Sequence, residues 1–330
     1  MSKVLHIGPC ETPGGMANVM RILAEHPPEG WEAELLSSHT SGSPFAKWRA
    51  YRHARASFSR MLKDSKSRPD IVHLHTAADW SWWRKRRFAK MAYHAGVPNI
   101  VHIHSGQFDT WLKSSKVNQK RFLSSTKKFE SNIIVLSQHW KDILEIMIGR
   151  VTVINNPVNP NIGYDPSITR DTHHLLLLGR DDPVKGHQFA VELTQELRKI
   201  HPQARLTLTG VDQNKFEWVD ARGWVSEIEK INLLQKATVL LVPSLFEGQP
   251  LAALEALFAN CPVIASDTVH SLPSTVLTAE FGNVESWLKV YQSLLPMNVV
   301  ESAQSFAIEH IQSRWQEYYS NILSSNNLVE

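Results

Sequence analysis

Cysteine is scarce in this sequence, and so are long apolar runs. Two cysteines among 330 residues, Cys10 and Cys261, lie far apart. That excludes a disulfide scaffold and fits a reducing compartment, each thiol reading as a small buried hydrophobe rather than a nucleophile. No apolar stretch approaches the roughly 20 residues that cross a bilayer. The opening Met1–Gly8 is too short and too early stopped by glycine to be a secretion leader, and it reads as a strand. A cytoplasmic location is expected. Internal repeats and low-complexity tracts are missing, which excludes a solenoid. The G-x-G-x-x-G spacing is missing too, which argues against an NAD-binding oxidoreductase.

What is present is ample core material for two domains: 42% hydrophobic and 20% charged residues over 330 positions. The net charge of +3 conceals an asymmetry. Residues 1–165 carry 23 Lys/Arg against 13 Asp/Glu, and residues 166–330 carry 12 against 19. The basic half calls for an anionic partner such as a membrane surface, nucleic acid or a phosphorylated substrate.

Apolar runs alternate with amphipathic stretches. Val4–Ile7, Ile71–Leu74, Ile100–Ile103, Ile133–Leu136 and Val151–Ile154 read as strands in the first half. Leu175–Leu178, Ala204–Thr209, Val239–Val242 and Val263–Ala265 do so in the second. Strands without polar alternation, separated by helices, imply parallel sheets covered on both faces. The fold class is therefore α/β, with two Rossmann-like doubly wound domains facing a cleft. Asn155-Asn156-Pro157-Val158-Asn159-Pro160 breaks the pattern, which divides the chain into 1–158, 159–304 and a C-terminal amphipathic helix over 305–330. That helix carries Phe306, Ile308, Ile311, Trp315, Tyr318, Tyr319 and Ile322, and is expected to cover a core.

In such sheets ligands sit at the carboxyl ends of strands. Four loops leave those ends with suggestive residues. Gly8–Met16 contains Gly14 and Gly15 before a helix, where backbone can approach an anion; a plain turn is the alternative. Gly179–His187 sets Arg180 and Lys185 on one turn, a match for phosphate oxygens or a solvated cluster. A metal on Asp181-Asp182 is disfavoured by those cations. In Ser244–Asn260, Glu247 lies on a loop and Glu255 inside an apolar helix that starts at Pro250, with Gln249 to Ala252 at its positive end. A buried glutamate needs hydrogen bonds, and a hydroxyl-rich ligand would satisfy both acids. Finally, His102 and His104 share a strand face, as do His73 and His75. No third ligand spacing supports zinc, and His104, nearest the strand end, is the functional candidate.

Together these motifs resemble glycosyltransferase family 4, the retaining nucleotide-sugar transferases of the GT-B fold. The resemblance rests on Pro13-Gly14-Gly15, His104-Ser105-Gly106, Val135-Leu136-Ser137, Gly179-Arg180 with Lys185-Gly186, Gly223-Trp224-Val225, and above all the E-x7-E pair Glu247 and Glu255. It implies that Gly15 meets the donor diphosphate and that Arg180 and Lys185 neutralise it as it leaves. Glu247 would bind sugar hydroxyls, with Gly248, Gln249, Pro250, Leu251 and Ala252 supporting sugar and phosphate. Glu255 would hold the ribose, Val225 the base, and His104 would lie beside the reacting sugar. It implies no metal and no cofactor, the donor being a UDP or GDP sugar. Two departures stand out: a shortened Arg180–Lys185 loop, and Thr268–Pro273 without the family's glycines.

The basic segments 47–68 and 80–90, interleaved with aromatics, suit an anionic membrane surface, with the solvated-face reading as the alternative. Nucleic acid is not expected. The expected activity is sugar transfer to a glycan or lipid-linked acceptor in polysaccharide or glycolipid assembly, at the inner face of the membrane. The competing readings are a nucleotide-sugar epimerase, a phosphorylase, or a non-catalytic partner subunit of the same fold.

Overall fold

Strands apolar on both faces must be sandwiched between helices, and the chain does this twice. The structure, a computed structural model, describes residues 1–294 and 298–327; residues 328–330, the end of the expected C-terminal helix, lie outside the described residues. Two compact units form, Met1–Pro157 with Ile308–Glu330, and Val158–Ala307. The division falls one residue before the expected one, and the C-terminal helix belongs with the N-terminal unit.

The N-terminal unit has strands β1 (Ser2–Gly8), β2 (Trp31–Ser37), β3 (Ile71–Thr76), β4 (Asn99–Ile103), β5 (Asn132–Val135) and β6 (Thr152–Val153). They pair in parallel in the order β2-β1-β3-β4-β5-β6. Helices α1 (Gly15–Glu25), α2 (Pro44–Met61), α3 (Trp80–His94), α4 (Phe108–Lys113), α5 (Lys116–Lys128) and α6 (Gln138–Ile148) connect them. Serine caps start three of these: Ser43, Ser115 and Ser137 each accept a backbone N–H of the first turn. The core joins Leu5, Ile7, Val72, Leu74 and Val101 to Phe58, Trp82, Phe88, Phe108 and Phe122, all essentially sealed from solvent. Each such aromatic stabilises the fold by about 2–3 kcal/mol. At Gly8 an added Cβ would fall 2.3 Å from the Met20 sulfur, so any larger residue would force the Met20 side chain of α1 to move.

The C-terminal unit has β7 (His174–Leu177), β8 (Arg205–Thr209), β9 (Val219–Arg222), β10 (Val239–Val242), β11 (Val263–Ser266) and β12 (Leu277–Ala279), in the parallel order β12-β11-β10-β7-β8-β9. Its helices are α7 (His187–Arg198), α8 (Glu227–Lys236), α9 (Leu251–Phe258) and α10 (Val284–Gln292). Period-2 alternation divides the strands between two cores. Leu176, Leu240 and Val242 face Leu254 and Leu257 of α9, while Leu175, Leu177 and Leu241 face Leu193 and Leu197 of α7 and Trp287 of α10.

Helix α11 (Ile308–Asn327) lays Ile308, Ile311, Trp315, Tyr319 and Ile322 inward. Phe306, expected on this helix, instead ends a 3-10 turn and packs into the C-terminal unit's core. Three strands were not expected: β2, β9 and β12. No helix among the described residues is long and apolar enough to cross a membrane.

Candidate active site

In the C-terminal unit, the carboxyl ends of β7 and β10 bring two loops together. After β7, Asp182 accepts the Val184 N–H at 3.1 Å and starts a 3-10 turn, Pro183–Lys185. Gly186 follows in the left-handed region, at φ 74°. A Cβ there would also meet the Pro243 carbonyl at 2.7 Å, so glycine at 186 is required by both conformation and space. The Leu245 N–H donates to the Val184 carbonyl at 2.9 Å and ties this turn to the loop after β10.

That tie sets Lys185 against Glu247. The Lys185 Nζ lies 2.5 Å from Glu247 Oε1, and the Ser244 hydroxyl donates to the same oxygen at 2.8 Å. Ser244 is held in turn, its carbonyl accepting from the Thr268 hydroxyl at 3.0 Å. Both members of the ion pair remain partly open to solvent, at 26% and 14% of their side-chain surface. Ser244 and Thr268 were not singled out in the sequence; single hydroxyls at strand ends carry no pattern. Arg180 is exposed and forks onto Asp182 at 3.0 and 2.8 Å. Asp182, serving as both cap and counter-ion, is thereby spent, and backbone hydrogen bonding from Val184 leads the causes that hold its carboxyl below the usual range.

Helix α9 begins one residue later than expected. Pro250 is the residue before the helix, in extended conformation, and Leu251 is its first member. Gly248, Gln249, Pro250 and Leu251 are buried and Ala252 half-buried at this amino end. Asn260, at φ 57°, and Pro262 close the far end.

Glu255 sits on α9 and is 2% exposed. Its burial had suggested a hydroxyl-rich ligand as partner. Instead Lys230 of α8 lies 2.8 Å from its Oε1 and 2.9 Å from Glu227. Burial opposes the charge on Glu255 and Lys230 offsets it; burial also lowers the ammonium, but the two acids outweigh this and leave its pKa raised. Burial of Glu255 thus does not by itself demand a ligand. Lys230 went unnoticed because it lies 25 residues from its partner. Val225, half-buried, precedes Ser226, whose side chain starts α8 in a capping box with Glu229.

In the N-terminal unit, Gly14 adopts φ 138°, and a Cβ there would meet nothing within 4 Å; Gly15 opens α1 beside it. Backbone is therefore approachable at this helix start. His104 follows β4, its N–H donating to the Thr76 carbonyl at 2.8 Å. Its imidazole is the outer end of a ladder. His104 Nε2 meets His75 Nδ1 at 2.9 Å, and His75 Nε2 meets His6 Nδ1 at 2.9 Å. Alongside, the Tyr319 hydroxyl meets His73 Nδ1 at 2.9 Å and His73 Nε2 meets His102 Nδ1 at 3.0 Å. Burial holds all five rings neutral, His6 and His104 being lowered to about 3. Two threefold groups, His6/His73/His75 and His75/His102/His104, bring one ring nitrogen each within 4.8 Å. The third imidazole that sequence spacing could not supply comes from the neighbouring strand through register His6↔His73 and His75↔His102. Most of these nitrogens are spent on one another; His102 Nε2 is buried without a partner.

The aromatics of the basic segments divide. Phe58, Trp82 and Phe88 are core residues, whereas Phe45, Trp48 and Trp80 are 66%, 51% and 72% exposed. Arg52 stacks over Trp48 at 4.8 Å.

Comparison with known proteins bears on this arrangement. Residues 13–162 match the model described as Glycosyltransferase Family 4, and residues 172–294 the one described as Glycosyl transferases group 1. Glycogen synthase of Mycobacterium tuberculosis is 27% identical over 273 residues, covering 74% of this chain and 64% of that enzyme. UDP-Gal:alpha-D-GlcNAc-diphosphoundecaprenol alpha-1,3-galactosyltransferase of Escherichia coli is 27% identical over 244 residues, covering 64% and 60%. The chain thus spans less than two thirds of the length of these curated relatives. Among solved structures, sucrose-phosphate synthase of Thermosynechococcus elongatus superposes with TM-score 0.74 at 17% identity, covering 98% of this chain and 100% of the other. Starch synthase IV of Arabidopsis thaliana, bound to ADP and acarbose, gives 0.67 at 13% identity, covering 98% and 99%. With family models over both halves and these likenesses in fold, the chain belongs to the glycosyltransferases, family 4 in its N-terminal half and group 1 in its C-terminal half, with the GT-B fold.

Proposed function

We propose that the protein is a retaining hexosyltransferase that moves a sugar from a nucleoside-diphosphate donor to a hydroxyl of a glycan or lipid-linked acceptor. The observation that carries this is the Lys185–Glu247 pair, a cation and a carboxylate fixed 2.5 Å apart at the carboxyl end of β10 and open to solvent. In transfer, the bond from the anomeric carbon to the diphosphate oxygen breaks and one to the acceptor oxygen forms. The acceptor's proton leaves with the diphosphate. Negative charge grows on the departing phosphate, and Lys185 and Arg180 supply fixed positive charge against it. Glu247 accepts hydrogen bonds from sugar hydroxyls, Glu255 from the ribose, and the amides at the start of α9 meet sugar and phosphate. Val225 borders the base; Gly14 and Gly15 offer backbone N–H groups, and His104 a neutral imidazole, to the donor.

With cations in that place the reaction needs no divalent metal, and chelation with EDTA leaves turnover unchanged. The exposed Phe45, Trp48 and Trp80 among Lys47, Arg49 and Arg52 support peripheral attachment to the cytoplasmic face of an anionic membrane. The Escherichia coli relative, named for a diphosphoundecaprenol acceptor, supports polysaccharide or glycolipid assembly.

The test is to incubate the protein with UDP and GDP sugars and membrane lipid extract and to measure released nucleotide. Release that requires both sugar donor and extract is expected. No release from any donor, with no thermal stabilisation by UDP, GDP or ADP, would leave a non-catalytic partner subunit as the better reading.

A further inference from the structure

Lys85, on the second turn of α3, is 1% exposed, and among the described residues its one hydrogen bond is to the Ser38 hydroxyl at 2.8 Å. Neither Lys85 nor its neighbour Arg84 forms an ion pair there, and neither does Lys47 of α2. A buried ammonium without a counter-ion costs several kcal/mol, and burial, then Arg84, pulls Lys85 down to about 7. Around it lie buried polar atoms with no partner. Arg84 Nε and His39 Nδ1 are both buried without a hydrogen-bond partner. Arg84, Lys47 and Lys85 all lie close enough to His39 to help burial lower its imidazole to about 4. Glu11 acts on the nearby Cys10 but pairs with none of these cations. The Ser38 N–H donates to the Gly8 carbonyl at 2.8 Å, which locates the cluster at the carboxyl ends of β1 and β2, where open α/β sheets bind ligands.

We infer that this cluster is a phosphate pocket of the acceptor site, and that the sugar acceptor carries a phosphate or diphosphate group. Arg84 and the exposed Lys47 donate to the anion, the neutral His39 ring can offer it one N–H, and Lys85 beneath gains full charge as the anion arrives. A doubly charged oxyanion matches several converging cations better than a neutral glycan does. The inference rests on the glycosyltransferase reading and names its acceptor class. The phosphate has two chemical sources, a water-soluble sugar phosphate or a polyprenyl-diphosphate-linked glycan.

Calorimetric titration of inorganic phosphate into the full chain tests the pocket. Wild-type protein binds phosphate, Lys85→Met weakens binding at least tenfold, and Arg84→Gln weakens it several-fold. Arg84→Gln, at a half-exposed position, keeps the test open if Lys85→Met fails to fold. Saturating UDP or GDP leaves phosphate binding unchanged. Absence of binding to wild type, unchanged affinity in the folded variants, or displacement by the nucleotide would overturn the pocket. Nucleotide titration alone addresses the broader reading: nucleotide binding without phosphate binding sinks the pocket only, whereas phosphate binding without nucleotide binding overturns the proposed transfer activity and leaves an anion site with no acceptor role. Turnover then separates the sources. Activity on soluble sugar phosphates, or on polyprenyl-diphosphate glycan in vesicles, with KM raised at least tenfold in Lys85→Met, supports the pocket. Equal activity on the unphosphorylated glycan contradicts it.

Discussion

In the C-terminal unit, Lys230 sits between Glu255 and Glu227 at 2.8 and 2.9 Å; in the N-terminal unit, Lys85 is more deeply buried and has a single hydroxyl. The strand ends of the two units differ as well. Lys185 and Arg180 are matched to Glu247 and Asp182, whereas the N-terminal strand ends carry five neutral imidazoles bonded to one another. Under the proposed function, a diphosphate would compete with Glu247 for an ammonium that is already positioned. The unpaired cations near Lys85, by contrast, are held at the expense of stability, and in the inferred pocket an anion would relieve that cost. The difference is thus local: Lys230 and Lys185 are matched by carboxylates, whereas Lys85 and Arg84 are not.

Breaking the pairing in the C-terminal unit should have the largest effect. Lys230→Ala leaves Glu255 buried without its cation, and loss of about 3–5 kcal/mol is expected by denaturant unfolding. Adding Glu255→Leu should return much of it, since removing both charges avoids the stranded carboxylate. A melting profile unchanged by Lys230→Ala would show that this pair is not structural. Next comes Lys185→Ala, whose side chain is a quarter exposed, so the fold should survive. Turnover should fall about 10²–10³-fold, as when one charge-stabilising donor is removed elsewhere. Near-normal release of nucleotide would contradict the role given to Lys185, and Glu247→Ala provides the same check on the carboxylate.

These positions show what could be read in advance. Nine strands announced themselves as apolar runs: eight are interior to a sheet, where strands are buried on both faces, and the ninth is the short edge strand β6. The three that did not, β2, β9 and β12, all lie at sheet edges. Edge strands such as Trp31–Ser37 and Val219–Arg222 expose alternate side chains, so their composition resembles loop. The cation turn and both glutamates were legible as local patterns. Their partners were not: Ser244 and Thr268 are lone hydroxyls, and Lys230 meets Glu255 only through the packing of α8 against α9. The histidine ladder was half visible, as two H-x-H pairs, but its continuity depends on strand register and on Tyr319 from the far end of the chain.

That ladder sharpens the comparison from the N-terminal side. His6 and His104 bind protons only near pH 3 when folded, but near 6.5 when unfolded. Between those values the unfolded chain holds more protons, so stability is complete above pH 6.5 and falls as pH drops. Each unit of pH in that window should cost up to about 1.4 kcal/mol per histidine. Unfolding free energy measured from pH 7.5 to 5 should therefore decline steeply, and His6→Asn should flatten the slope. A flat profile would mean that the rings take up protons as readily in the folded chain as in the unfolded one.

The smallest effect belongs to the far end of the ladder. Tyr319→Phe removes one hydroxyl, whose hydrogen bond to His73 is expected to contribute about 1 kcal/mol. The ring is sealed in the core against Trp31 and Trp315, and phenylalanine preserves that packing. What changes is the state of His73: with one fewer partner, its Nδ1 must present either an unsatisfied lone pair or an unsatisfied proton. If the ladder acts as a unit, the loss should reach His102 across the 3.0 Å His73–His102 contact, and both rings' nitrogen resonances should shift while those of His6 and His104, on the parallel chain, stay fixed. A shift confined to His73 would show that the two rows of imidazoles are packed side by side without being coupled along their length.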